Sequence, residues 1–226
     1  MKQLPLGVRP HDRAVFASFL PGPNAEAFAA VRQFAGSPEP ALLYLHGALG
    51  TGRSHLLQAA CAAAAGAGYF PLGDMRALGP AVLEGVANLP LAALDDVDAV
   101  AGEGSWERQL FGLYNDCQAS GCRLLVAASR PAAELPLALP DLRSRLAAMP
   151  HYALRPLDDQ QQRAAIAVRA AQRGIELNDE TLQYLQNRFT RDMMGLTALL
   201  DRLDLASLQE QRRVTLPFIR RVLDGP

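Results

Sequence analysis

An excess of charge of either sign is missing from this 226-residue chain: 22 Lys and Arg stand against 23 Asp and Glu, a formal net charge of −1. Binding along a phosphate backbone calls for a clear basic surplus, so a broad electrostatic grip on nucleic acid is excluded and any DNA contact is local, weak or indirect. Cysteine is scarce. Cys61, Cys117 and Cys122 are odd in number and form no C-x-x-C pair, which argues against zinc and for a reducing, cytoplasmic setting. No apolar run reaches the length of a membrane span, because the alanine-rich stretch from Leu56 to Ala67 is bounded or broken by His55, Gln58 and Gly66. The N-terminus shows no charged-then-apolar signal pattern, so no membrane association is expected. Repeats are absent, and the alanine run is the single low-complexity tract.

What is present reads as an ordinary globular protein, 50% hydrophobic and 20% charged, long enough for a medium domain with a small companion. Strand and helix signals alternate from Asn24, a candidate helix cap, to about Pro156. "ALLYLHG", "YFPLGD", "PLAALDD", "CRLLVAAS" and the weaker "HYALRPL" read as strands. Between them, "SHLLQAACAAAAG" with its stop at Gly66, "PAVLEGVANL", "SWERQLFGLYNDCQASG" capped by Ser105, and "LPDLRSRLAAMP" capped by Asp141 read as helices. This alternation predicts an α/β fold, a five-stranded parallel sheet flanked by helices. Beyond Arg155–Asp158 the strand signals vanish and four helical patterns follow, predicting a small all-helical domain. The expected division is a terminal peptide at 1–10, an α/β nucleotide-binding domain at 11–156 and a helical lid at 157–226.

"GALGTGRS" carries the most chemistry. Gly47, Gly52 and Ser54 fit the phosphate-loop template G-x-x-x-x-G-K-[ST], with Arg53 in the lysine position. The stretch follows a strand and opens a helix, the context the motif requires. Its glycines let backbone N–H groups turn toward phosphate oxygens, and the helix N-terminus adds positive potential. Gly47, Gly50, Thr51, Gly52, Arg53, Ser54 and His55 are therefore the candidate nucleotide-binding set, with Ser54 a ligand of Mg²⁺. Lysine follows the phosphates as a compact charge, whereas arginine is a bulkier planar fork. Nucleotide binding with weakened intrinsic hydrolysis is the expectation.

"LAALDD" supplies an acidic strand end. Asp95 is placed to hold Mg²⁺, directly or through water, and Asp96 to orient an attacking water. Ser129 ends "LLVAAS" at another strand tip, where α/β proteins gather ligands, although a turn-forming serine explains it equally well. His46 and His55 flank the loop, where packing and backbone hydrogen bonding are the common roles of histidine. Trp106, Leu110, Phe111 and Tyr114 form one helix face, and Arg155, Arg163, Arg169 and Arg173 read as a solvated surface.

Phosphate loop, acidic strand, polar strand tip and helical lid, in this order, resemble an AAA+ nucleotide-binding module. "GRSHLLQAAC", "LDDVDAVAGEGSWERQLFGLYND", "ASRP" and "LPDLRSRL" look like the AAA+ part of the replication initiator DnaA, and most of all like the Hda family, DnaA homologues of regulatory inactivation of the initiator. Arginine in the lysine position and a chain stopping at Pro226, without room for a DNA-binding domain, are what separates that family from DnaA. The resemblance implies bound ADP (or ATP) with Mg²⁺. It implies an arginine finger acting in trans at Arg145 of "LRSRL", a lid arginine at Arg191 of "TRDMMGLTALL", and an adenine pocket walled by Phe16 and Phe19, which serve equally as plain core. At the Ser129 position the family more often carries a longer polar side chain.

Gln3-Leu4-Pro5-Leu6 resembles the short motif with which replication proteins grip the polymerase sliding clamp, its β subunit. Gln3 is the hydrogen-bonding anchor and Leu4 and Leu6 are the apolar contacts, on a peptide that proline stiffens. DnaA and the clamp are then the implied partners, with self-association a further one, in a cytoplasmic, replisome-associated protein. The implied function is negative regulation of replication initiation through hydrolysis of DnaA-bound ATP. Two alternatives stand beside it: a self-cycling AAA+ ATPase such as a helicase or clamp loader, and a DnaA-binding adaptor that leaves hydrolysis unchanged.

Overall fold

The computed structural model describes residues 14–39, 41–189, 193–210 and 214–224. Strands β1 (Leu42–Gly47), β2 (Gly68–Pro71), β3 (Leu91–Asp95), β4 (Arg123–Ala128) and β5 (His151–Leu154) form one sheet in the order β2-β3-β4-β1-β5. Every pairing is parallel; β1 runs Leu42 to His46 alongside Leu124 to Ala128 of β4. On one face lie α1 (Ala25–Gly36) and α2 (Arg53–Ala63), and on the other α3 (Leu72–Met75), α4 (Gly104–Ser120) and α5 (Pro140–Ala147).

The two-residue period of a strand explains how one sequence serves both faces. Leu125 and Ala127 of β4 pack with Val31 and Phe34 of α1 and Leu56 of α2, whereas Leu124, Val126 and Ala128 pack with Trp106, Leu110 and Tyr114 of α4. Because both faces are covered, the strands read as unbroken apolar runs instead of alternating ones. Each fully buried leucine, Leu125 among them, stabilises the sheet by roughly 2–5 kcal/mol relative to alanine. Arg123 begins β4 almost wholly buried, and its Nη1 donates to the carbonyls of Phe34 and Ala35, both at 2.9 Å. Those carbonyls belong to the last turn of α1, where no helical N–H remains to meet them, so Arg123 closes that helix onto the sheet.

Several local expectations are corrected. Asn24 precedes α1 without capping it: its Nδ2 donates to the Arg155 carbonyl at 2.9 Å and its Oδ1 accepts from the Arg155 amide at 2.7 Å. That reciprocal pair ties the start of α1 to the end of the sheet. The helix expected over Pro80–Leu89 is two 3₁₀ turns, Pro80–Leu83 and Val86–Asn88, because Gly85 sits at φ +76° and interrupts helical winding. The strand expected to reach Asp74 stops at Pro71, where Leu72 and Met75 are buried by a single helical turn. α4 begins at Gly104, before Ser105, and α5 begins at Pro140 with Asp141 inside its first turn. A proline at that position gives up no hydrogen bond, and the acid suits the positive helix end.

The C-terminal helices are α6 (Asp159–Ala171), α7 (Asp179–Arg188), α8 (Met193–Glu210) and α9 (Leu216–Asp224). They have a core of their own, in which Ile166, Leu185, Leu196, Leu200 and Ile219 are buried together. Asp158 caps α6, accepting from the Gln161 amide at 2.8 Å, and Asn178 caps α7, accepting from the Thr181 amide at 2.9 Å. Among the described residues no helix is long and apolar enough to cross a membrane.

Candidate nucleotide site

The loop between β1 and α2 owes its shape to its glycines. Gly50 and Gly52 adopt φ +82° and +98°, backbone that side chains rarely tolerate. At Gly47 a Cβ would lie 2.5 Å from the Leu154 carbonyl, so the loop passes directly against β5. The Thr51 hydroxyl donates to the Ala48 carbonyl at 2.8 Å and closes the turn from within. α2 starts at Arg53, and the N–H groups of a helix's first turn have no helical acceptors, leaving them for an anion.

Arg53 is buried, 7% exposed, and leans on the tip of β3, its Nη2 lying 3.4 Å from Asp96 Oδ1. Its Nη1 is buried without a hydrogen-bond partner among the described residues. An unpaired buried donor costs about 1–3 kcal/mol, so a phosphate oxygen reaching this nitrogen gains that much. The loop therefore fits a nucleotide's phosphates. Asp96 adopts φ +52°, the left-handed backbone that is uncommon for a residue with a side chain. Burial and the negative charge of Asp95 raise its pKa, against the lowering effect of Arg53.

Asp95 is buried and already engaged. Its Oδ2 accepts from the Tyr69 hydroxyl at 2.8 Å and its Oδ1 from the Asp96 amide at 3.0 Å. The Tyr69 oxygen in turn accepts hydrogen bonds from Ser54 and Gln58 of α2. Ser54 and Asp95, the expected Mg²⁺ ligands, thus meet through a phenol. As arranged they do not fit a divalent cation, since a hydroxyl occupies the bonds such an ion needs.

The Ser129 amide donates to Asp98 Oδ1 at 2.9 Å, and the Tyr44 hydroxyl donates to the Arg130 carbonyl at 2.9 Å, so the tip of β4 is held from two sides. His55 joins three elements. Its Nε2 lies 3.0 Å from the Val15 carbonyl and 3.1 Å from the Ser18 hydroxyl, and its Nδ1 lies 3.3 Å from Arg169 Nη2 of α6. Burial, and then the charge of Arg169, push its pKa down to about 4, so the ring is neutral at physiological pH. Phe16 packs edge-on against Phe28 at 5.7 Å, and Phe19 stacks on Phe28 at 5.6 Å, directly under Gly52.

The expectation of a solvated arginine surface fails for Arg169 and Arg173. Arg169 reaches His55 across the lid boundary, and burial beside Arg173 lowers its pKa to about 10, which still leaves it charged at neutral pH. Arg173, with only 4% of its side chain exposed, pairs with Asp201 at 2.6 Å. Arg163 donates to Gln186 at 3.2 Å. Sequence spacing carries no sign of these contacts, because each joins residues far apart in the chain.

Arg145 is exposed on α5, its guanidinium 5.8 Å from the Phe111 ring centre and 5.5 Å from that of Tyr114. Among the described residues it has no acidic partner. Its support includes Glu107 of α4, which sequence reasoning missed. This fully buried carboxylate accepts from the amides of Gly102 (2.7 Å), Ala138 (3.0 Å) and Leu139 (2.6 Å), the last two leading into α5. Its one visible sign in the sequence is an acid in the first turn of a helix. Arg191, Gln3, Leu4 and Leu6 lie outside the described residues.

Residues 159–223 match the Hda lid-domain family. The chain is similar in structure to domain III of the replication initiation protein DnaA of Thermotoga maritima, at 20% identity and a TM-score of 0.74, over 94% of this chain and 98% of that one. It is similar also to AMPPCP-bound DnaA of Aquifex aeolicus, at 21% identity and 0.64, over 88% and 69%. A RuvB of the same Thermotoga species matches at 16% identity and 0.62, over 95% and 72%. The fold is the AAA+ fold, with its parallel sheet and helical lid.

Proposed function

We propose that this chain is an Hda-like AAA+ protein, a DnaA-related regulator of replication that holds ADP in its own loop and promotes hydrolysis of ATP on DnaA. The nucleotide-bound state of a DnaA with the same fold supports a nucleotide in the β1–α2 loop. Arg53 and the α2 N-terminus bind the phosphates, Phe16, His55 and Ser129 border the site, and Arg191 is a further arginine assigned to nucleotide binding. Gln3, Leu4 and Leu6 anchor the chain on the sliding clamp, so that inactivation follows DNA synthesis. Arg145 enters the nucleotide site of a docked DnaA and stabilises charge on the transferring phosphate, a contribution worth about 10³–10⁵ in rate where such fingers operate.

The observation that carries this reading is the Arg53–Asp96 pair. Asp96 is the residue expected to orient an attacking water, and a guanidinium rests against it in place of the compact lysine that tracks a γ-phosphate. A site wired this way retains nucleotide and turns it over slowly. The reading is tested by two measurements on the purified chain. Its own ATP hydrolysis stays near background, and it is captured by immobilised clamp only while residues 1–8 are present. Brisk turnover by the chain alone contradicts the regulatory reading, and clamp capture that survives the deletion contradicts the anchor.

A further inference from the structure

The Tyr69 hydroxyl sits where the chemistry of a phosphate loop ordinarily places a divalent cation. β2 lies parallel to β3, with Tyr69 opposite Ala93 and Pro71 opposite Asp95, which brings the phenol alongside the acidic strand end. The hydroxyl donates to Asp95 Oδ2 at 2.8 Å, and its oxygen accepts from Ser54 and Gln58. A phenol keeps its proton at neutral pH and is therefore a donor. A Mg²⁺ ion takes oxygen ligands in a strict octahedron and gives up its waters reluctantly. It cannot reach Ser54 and Asp95 together while the phenol lies between them, unless Tyr69 leaves.

The local charges are also met without a metal. Asp95 is satisfied by the Tyr69 hydroxyl and the Asp96 amide, and Asp96 by the Arg53 guanidinium. Arg53 still has Nη1 to offer a phosphate. The anionic groups of the site are thus paired with fixed donors before any cation arrives.

We propose that Tyr69, by hydrogen-bonding Asp95 and Ser54 together, makes this site one that takes a nucleoside diphosphate without a divalent cation. The inference rests on the proposed nucleotide site and sharpens it, because it assigns metal independence to one side chain. The phenol contributes no charge to the phosphates. Its effect is to close the Ser54–Asp95 gap, leaving Arg53 and the α2 amides as the binding groups.

The test is calorimetric titration of the full chain with ADP, once in Mg²⁺ and once in EDTA, for the wild type and for Tyr69→Phe. The wild type binds ADP with affinities agreeing within about threefold in the two buffers, whereas Tyr69→Phe, which frees Ser54 and Asp95, binds at least about tenfold more tightly in Mg²⁺. Mn²⁺ titrated into the ADP complexes and followed by electron paramagnetic resonance is retained by Tyr69→Phe and not by the wild type. A tenfold loss of wild-type affinity in EDTA overturns the inference while leaving the nucleotide site standing, and that arm needs no variant to fold. Tyr69→Phe binding alike in both buffers overturns the assignment to Tyr69. Absence of ADP binding in either buffer removes the nucleotide site and the inference together.

Discussion

The guanidinium of Arg53 lies 3.4 Å from the carboxylate of Asp96, joining the loop's lysine position to the acid at the tip of β3. The pair leaves Arg53 Nη1 buried without a hydrogen-bond partner among the described residues, and the proposed function assigns that nitrogen to the nucleotide. On the proposed function, binding and turnover separate at this contact.

Replacing Arg53 therefore affects retention of nucleotide first. Arg53→Ala weakens ADP binding by about tenfold or more, since a charge-assisted bond to phosphate is worth about 1.5–3 kcal/mol. Arg53→Lys, which keeps the charge, stays within about threefold of the wild type. Calorimetric titration with ADP measures both, and unaltered binding by Arg53→Ala contradicts a phosphate role for this residue.

Gly52 is the least replaceable residue of the loop. At φ +98°, with a would-be Cβ only 2.6 Å from Phe19 Cε2, Gly52→Ala meets both backbone strain and a ring packed beneath it. A destabilisation of about 2–4 kcal/mol is expected in urea unfolding, together with loss of ADP binding. Gly36→Ala is the control, because nothing lies within 4 Å of its would-be Cβ. It leaves stability unchanged or raises it by up to about 1 kcal/mol.

Glu107 governs the approach to α5. Its carboxylate accepts three backbone N–H bonds in a fully buried setting, so Glu107→Ala orphans all three donors and costs about 3 kcal/mol or more in urea unfolding. Glu107→Gln keeps one acceptor and costs about 1–3 kcal/mol. Of the three donors, Ala138 and Leu139 immediately precede the helix that carries Arg145, so both variants also slow any reaction that depends on placing that side chain.

How much of this was legible in the sequence follows the reach of each contact. Four of the strands, the loop glycines and the acids at Asp95 and Asp96 are local patterns that stand close to where the sequence puts them, while the second strand gives way at Pro71 to a helical turn. The parallel sheet and the lid follow from the order of those patterns. Tyr69 read as one more strand residue, since nothing within "YFPLGD" shows that it faces Ser54 and Asp95. Arg123, Glu107 and Arg169 draw their roles from partners about thirty or more residues away. Asn24 looked like a cap because caps are local, and a tertiary bond to Arg155 took its side chain instead.

His55 makes the fold sensitive to acid. An ordinary imidazole takes its proton near pH 6.5, whereas His55 in the folded chain takes it near 4, because burial and Arg169 disfavour the charged ring. Between these values the unfolded chain binds the extra proton, so the stability present in full above about pH 6.5 declines as the pH falls toward about 4. The loss amounts to roughly 3 kcal/mol at most. Urea midpoints taken from pH 7 to pH 4 show this decline, and His55→Gln flattens it. An equal slope in the variant contradicts the assignment.

The proposed action in trans through Arg145 is read from the rate at which ATP bound to DnaA is hydrolysed in the presence of clamp-loaded DNA and this chain. The wild type accelerates that hydrolysis. Arg145→Ala, lying away from the Arg53–Asp96 site, keeps ADP binding and clamp capture but loses the acceleration by about 100-fold or more. Acceleration by Arg145→Ala equal to that of the wild type contradicts the account.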